Sequence, residues 1–190
     1  QQNATLLLAV ALPAAVGLAV LAPNLTAVFL GTSFQEETAP LLSWVSLASL
    51  LSGIRAYHFD LAFQLGRYTL GQLWVVAAAA VLNLVLNLWW IPRLGVLGAA
   101  YATFAAYFLA LLLSVVLGRR VLPMPIPYRD GLKIALASLL MGLLLWPSLK
   151  YQGAYALVTQ VTVGAVAYAV LVWFLNVGGY RTKLLRRPVT

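Results

Sequence analysis

"AAAAVLNLVLNLWWIPRLGVLGAAYATFAAY", residues 77–107, carries a single charged side chain, Arg93, in thirty-one positions. On either side of the break at "IPRLG" the text stays apolar for about twenty residues, enough for a helix rising ~1.5 Å per residue to cross ~30 Å of hydrocarbon. A membrane-spanning backbone must satisfy its own hydrogen bonds, so the choice lies between helix and closed barrel. Barrel strands alternate polar and apolar residues, and this text does not.

The same kind of text fills the chain. Its 190 residues are 63% hydrophobic and 8% charged, with a mean hydropathy of +0.94, outside the range of water-soluble domains. Runs bounded by charge, glycine or proline predict six transmembrane helices, at about 6–30, 40–63, 68–91, 94–117, 132–149 and 154–176. The expected fold class is an all-α integral membrane protein.

Composition also narrows the chemistry. The net charge of +8 is scattered over short connections and a tail instead of gathered on a polar face, so no nucleic-acid partner is expected. There is no cysteine and a single histidine, which removes disulfides, thiolate ligands and a transition-metal cluster; no catalytic residue, metal or cofactor is assigned. The opening "QQNATLLLAVALP" has no basic n-region and no small-residue cleavage site, and reads as a cut within a longer chain.

Basic residues set the expected orientation. With both ends cytosolic, Arg67, Arg119, Arg120, Arg129, Lys133, Arg181, Lys183, Arg186 and Arg187 lie inside, and Arg93 and Lys150 outside. The loop "GTSFQEETA" has Glu36 and Glu37 and no cation, in agreement with the outer side, and Trp44, Trp89, Trp90 and Trp146 then fall near the outer interface. The segment "GRRVLPMPIPYRDGLK" contains three prolines within five residues and predicts an extended cytosolic link. The expected organisation is four spans over 1–118, a link over 119–131, a terminal pair over 132–176 and a basic tail over 177–190, the last a topology anchor with some attraction for anionic lipid.

Polar residues inside the spans are the candidate functional positions. Asn83 and Asn87 stand four apart on one helix face and must meet protein or water, as interhelical glue or as the lining of a polar path. Gly95, Ala99 and Thr103 form one small-residue stripe, and Gly98, Ala102 and Ala106 another, for close helix approach. Pro13 with Gly17 one turn later predicts a kink in the first span, either a hinge or a static bend of the kind bundles accommodate. In "GIRAYHFDLAFQLGR", residues 53–67, Arg55 falls about 9 Å from the cytosolic edge of a ~30 Å core. It continues the stripe of Trp44, Ala48, Ser52 and Phe59. Asp60, Gln64 and Arg67 share another face and read as a solvated helix end. At 100° per residue Arg55 is about 140° from Asp60, so no local pair between them is expected. His58 reads as a satisfied interfacial histidine.

The order Asn-x3-Asn, aromatic-Ile-Pro-Arg-x-Gly-x-x-Gly-Ala-Ala, present as "NLVLNLWWIPRLGVLGAAYAT" over residues 83–103, resembles the polysaccharide transporter branch of the MOP flippase superfamily. "ALPAAVGLAVLAPNLTAVFLGTSF" and "SGIRAYHFDLAFQLGRYT" are similar to neighbouring spans of that family, so the resemblance covers roughly residues 6–120. It implies that the six helices are part of the C-terminal lobe of a transporter of about 12–14 helices, with a substrate cavity between this lobe and an N-terminal lobe of the same full-length chain. The implied activity is movement of a lipid-linked oligosaccharide, a polyprenyl pyrophosphate glycan, across the bacterial inner membrane by alternating access.

Arg55 is the leading candidate for the substrate phosphates, since its planar fork can bind their oxygens bidentately. Ser52, Trp44, Asn83 and Asn87 complete the candidate substrate-binding set, and Pro13 and Gly17 the candidate hinge. A membrane-embedded glycosyltransferase would need a catalytic carboxylate or base in a larger loop than any here. A multidrug exporter of the same superfamily would need a cavity suited to cations. A non-transporting scaffold or permease subunit would tolerate loss of Arg55 and the asparagines except for stability.

Overall fold

The computed structural model describes residues 2–31 and 35–179; the expected basic tail beyond Gly179 lies outside them. Among the described residues every regular element is helical, and six helices are long and apolar enough to cross a membrane. The protein is an all-α, multi-pass membrane protein. Its α-helices are α1 (Gln2–Leu30), α2 (Gln35–Ile54), α3 (Leu61–Leu65), α4 (Thr69–Leu94), α5 (Val96–Val121), α6 (Tyr128–Leu145) and α7 (Ala154–Phe174). A π turn, Arg55–Phe59, joins α2 towards α3, so that Glu36–Leu65 forms one span; a 3₁₀ turn, Trp146–Lys150, extends α6.

Helix α1 runs unbroken through Pro13 and Pro23 and on to Leu30. The proline-rich link is shorter than expected. Helix α5 continues through Arg119 and Arg120, whose charges suit its C-terminus, and α6 begins at Tyr128, leaving residues 122–127 without regular structure. Only the segment holding the prolines loses helix, because proline lacks an amide and restricts the residue before it.

The helices pack in two compact units. One unit is α2 to α5; the other is α1 with α6 and α7. In the second unit Leu21, Met141, Leu145 and Leu157 form a buried cluster, and Gly142 lets Val16 and Val20 of α1 lie against α6. Polar bonds reinforce it. Tyr168 donates to the Ala9 carbonyl at 2.7 Å, Lys133 Nζ to the Asn176 carbonyl at 3.3 Å, and the Gly178 amide to Asp130 Oδ1 at 3.2 Å. Asn24 and Gln160, both buried, form the most complete network: Asn24 Nδ2 donates to Gln160 Oε1 (2.8 Å), the Gly153 amide donates to Asn24 Oδ1 (2.9 Å), and Gln160 Nε2 donates to the carbonyls of Ser148 (2.8 Å) and Tyr151 (3.2 Å).

In the other unit α5 is the central helix, packed by both α2 and α4. Apart from Ala100, its buried residues form a stripe at intervals of four: Gly98, Ala102, Ala106, Ala110, Ser114 and Gly118. Small side chains bring backbones close, which matters where lipid supplies no hydrophobic drive to helix association. Ala106 and Ala110 pack in one cluster with Phe63, Val75 and Ala79.

The break at "IPRLG" is a tight reversal. Gly95 adopts φ 61°, ψ −142°, a conformation costly for any residue with a Cβ. Its amide donates to the Ile91 carbonyl at 2.9 Å. A Cβ on Gly98 would stand 2.6 Å from the Trp90 carbonyl carbon and oxygen. Arg93 ends α4 by donating to the Trp89 carbonyl at 3.1 Å, its guanidinium 4.9 Å from the Trp89 ring centroid.

Candidate functional site

The site lies in the unit of α2 to α5 and begins with the π turn. There the Asp60 amide donates to the Arg55 carbonyl at 2.8 Å, a hydrogen bond spanning five residues instead of four. The wider turn changes which side chains share a face. Arg55 and Asp60, about 140° apart on a regular α-helix, come together as an ion pair with Arg55 Nη1 3.7 Å from Asp60 Oδ2. The absence of a local pair, expected from α-helical spacing, is corrected by this one extra residue in the turn.

Asp60 is also not part of a solvated helix end. It is 1% exposed, while Gln64 and Arg67 on its expected face are exposed. Ser114 Oγ donates to its Oδ1 at 2.7 Å and Gln72 Nε2 to its Oδ2 at 3.3 Å. The carboxylate thus joins α5 and α4 to the π turn. His58 is buried as well, packed edge-on against Phe59, and its Nε2 has no hydrogen-bond partner among the described residues. The ring nevertheless has a hydrogen-bond partner in the Pro125 backbone.

Arg55 opens on a half-enclosed cleft of about 210 Å³ whose polar lining includes Asn83, Thr103 and Tyr107. Its side chain is 15% exposed, and its Nε is buried without a partner among the described residues. Across the cleft a chain of donors runs from Asn87 Nδ2 to Asn83 Oδ1 (2.9 Å), from Asn83 Nδ2 to Thr103 Oγ1 (3.5 Å), and from Thr103 Oγ1 to the Ala99 carbonyl (2.9 Å). The asparagines do face protein, as their spacing requires.

Of the candidate substrate residues, Arg55 and Asn83 line one cleft and Asn87 supports Asn83 from outside it. Trp44 and Ser52 are not among the lining residues. Trp44 instead meets Tyr101 and Phe104 edge-on, at 5.0 and 5.1 Å between centroids, in an aromatic group that continues through Trp90. Its ring is committed to helix packing. Pro13 and Gly17 belong to the unit of α1, where a Cβ on Gly17 would make only an ordinary contact with Met141.

Comparisons with protein-family models, with curated proteins and with solved structures give no match. The site's chemistry therefore rests on its own residues. It holds one cation in a small, mostly apolar cleft, a fixed carboxylate beside that cation, and the amide and hydroxyl groups of Asn83, Thr103 and Tyr107 on the lining. Thr103 and Tyr107 were absent from the candidate set, as were Gln72 and Ser114. Thr103 stood in the small-residue stripe, and a hydroxyl one turn-face from Asn83 was the available signal. For Ser114 the signal was its place in the period-four stripe of alanines and glycines.

Proposed function

We propose that this chain forms part of a flippase that moves an anionic lipid-linked oligosaccharide, a polyprenyl pyrophosphate glycan, across the bacterial inner membrane by alternating access. It works with an N-terminal lobe of the same full-length chain, with both ends of the present segment cytosolic and membrane lipids around it. The observation that carries the reading is Arg55: an arginine whose Nε has no partner among the described residues, lining a mostly apolar cleft that also presents Asn83, Thr103 and Tyr107. Its planar fork suits phosphate oxygens. Arg55 is also the one charged residue among those lining the cleft, which favours an anion over the amphipathic cation of a multidrug exporter.

Size limits what the cleft takes. At about 210 Å³ it is below the ~300–1,000 Å³ usual for whole small-molecule ligands. A phosphate-bearing fragment of the head fits this volume; the glycan needs the wider cavity implied by the two-lobe resemblance. The ordered text over residues 83–103 supports the same family assignment.

The Asp60 partnership favours a second reading, in which Arg55 is half of a structural ion pair and the chain a non-transporting scaffold. Arg55→Ala alone leaves a carboxylate that is 1% exposed without its cation, at a cost on the order of 3–5 kcal/mol. Loss of export from that variant would fit either reading. Arg55→Ala/Asp60→Asn removes both charges together. In the full-length protein the double variant is expected at normal membrane abundance with export abolished. Export at the wild-type level would make Arg55 a structural partner and overturn the flippase site.

A further inference from the structure

A carboxylate shares the charge of Arg55. Each oxygen of Asp60 already accepts a hydrogen bond from another helix, Oδ1 from Ser114 and Oδ2 from Gln72. Those two bonds hold it in place from α5 and α4. Arg55 comes no closer than 3.7 Å to Oδ2, an ion-pair distance too long for a hydrogen bond. Among the described residues no acceptor takes a hydrogen bond from the guanidinium. Arg55 is attracted by Asp60 but not tied to it, and its N–H groups remain for an acceptor in the cleft. An anion arriving there meets a cation whose field is partly cancelled from behind.

We propose that Asp60 is a specificity-determining residue of the cleft: a fixed internal anion that competes with a phosphate-bearing ligand for Arg55 and sets how readily that ligand leaves. The proposal rests on the reading of the cleft as an anion site. Without ligand, Asp60 keeps the pair neutral in a low-dielectric bundle, where an unpaired charge is costly. With ligand, Arg55 is shared between two anions, and repulsion between them weakens the hold on the incoming one. The π turn is essential, because a regular α-helix would point Asp60 away from Arg55. Ser114 and Gln72 are equally so, since a carboxylate free to follow Arg55 would hydrogen-bond it and close the site.

The proposal makes two variants move affinity in opposite directions. In Asp60→Asn the amide oxygen still accepts a hydrogen bond while the competing charge is gone. In Ser114→Ala the charge stays and the shorter of its two tethers is lost. The full-length protein in phosphatidylcholine nanodiscs is titrated calorimetrically with inorganic pyrophosphate. Asp60→Asn is expected to bind it about tenfold more tightly, with slower export at wild-type abundance. Ser114→Ala is expected to bind it several-fold more weakly. Unchanged or weaker binding by folded Asp60→Asn overturns the competitor role; should that variant not fold, unchanged or tighter binding by Ser114→Ala does so. A purely structural Asp60 would lower thermal stability in both variants without separating their affinities in sign.

Arg55→Ala/Asp60→Asn keeps the two levels apart. If it binds pyrophosphate like the wild type, the cleft is not the anion site and the functional reading fails first. If it loses binding while Asp60→Asn does not tighten it, only the competitor role fails. Repeating the titration with phosphatidylglycerol in the discs separates the sources of phosphate. Pyrophosphate heat unaffected by phosphatidylglycerol supports a substrate phosphate. Heat abolished by it overturns that source in favour of a lipid headgroup.

Discussion

Asn24 on α1 and Gln160 on α7 are 136 residues apart in the chain and 2.8 Å apart in the structure. Between them they join the Gly153 amide and the carbonyls of Ser148 and Tyr151 into one satisfied network. Replacing Asn24 by leucine keeps the branched heavy-atom skeleton but strips the Gly153 amide and Gln160 Oε1 of their partners. Unpaired buried groups cost about 1–3 kcal/mol. Asn24→Leu and Gln160→Leu are each expected to lower the thermal midpoint of the purified protein, and the double variant to show a coupling of about 0.6–1.7 kcal/mol, the range of interhelical bonds in membranes. Additive losses would reduce the pair to two independent contacts.

Two glycines should respond oppositely to the same methyl group. Gly98→Ala places a Cβ 2.6 Å from the Trp90 carbonyl, so α4 and α5 must separate, with an expected loss of about 1–3 kcal/mol. Gly53, within α2, has nothing within 4 Å of its Cβ position. Gly53→Ala should therefore be neutral or stabilising by about 0.4–1 kcal/mol. Thermal melts of both variants in one detergent check the contrast.

Helix α3 ends with Arg67 at φ 54°, while the Tyr68 amide donates to the Phe63 carbonyl at 2.8 Å and the Arg67 amide to the Gln64 carbonyl at 3.2 Å. This is the bonding of a Schellman cap, with arginine at the position glycine favours. Arg67→Gly should raise stability by about 1 kcal/mol, and Arg67→Ala should not. A melt in which the glycine variant is no better than the alanine variant would show that the left-handed residue carries no strain.

The orientation drawn from the basic residues is testable at two exposed positions, Leu122 and Gln152. The sequence has no cysteine, so single cysteines there give a clean background. In intact cells a membrane-impermeant thiol reagent should label Gln152→Cys and spare Leu122→Cys. The reverse pattern would invert the proposed topology.

The six spans were legible because apolar length is a sum over about twenty residues, and a sum survives errors at single positions. Asn83 facing Thr103 was nearly legible, since both are polar residues on adjoining apolar helices that must find partners. The Arg55–Asp60 pair was not, because it depends on one backbone hydrogen bond reaching five residues instead of four, and nothing in "RAYHFD" distinguishes that turn from an α turn. Asn24 and Gln160 were illegible for another reason. Each stands as one amide in an apolar run, and pairing them requires knowing that α1 packs with α6 and α7.

That packing gives biosynthesis a timetable. Helices α2 to α5 are contiguous in the chain, so their unit can assemble as soon as its last helix leaves the ribosome. Helix α1 emerges before any of them, yet Gln160 is translated 136 residues after Asn24, a delay of roughly seven to twenty-seven seconds at 5–20 residues per second. Throughout it a buried-type amide waits in or near the bilayer without its native acceptor. The translocon, a lipid headgroup or a chaperoning membrane protein has to shelter α1 for that interval, and conditions that slow elongation between α2 and α6 should lengthen the period in which the nascent protein is open to degradation.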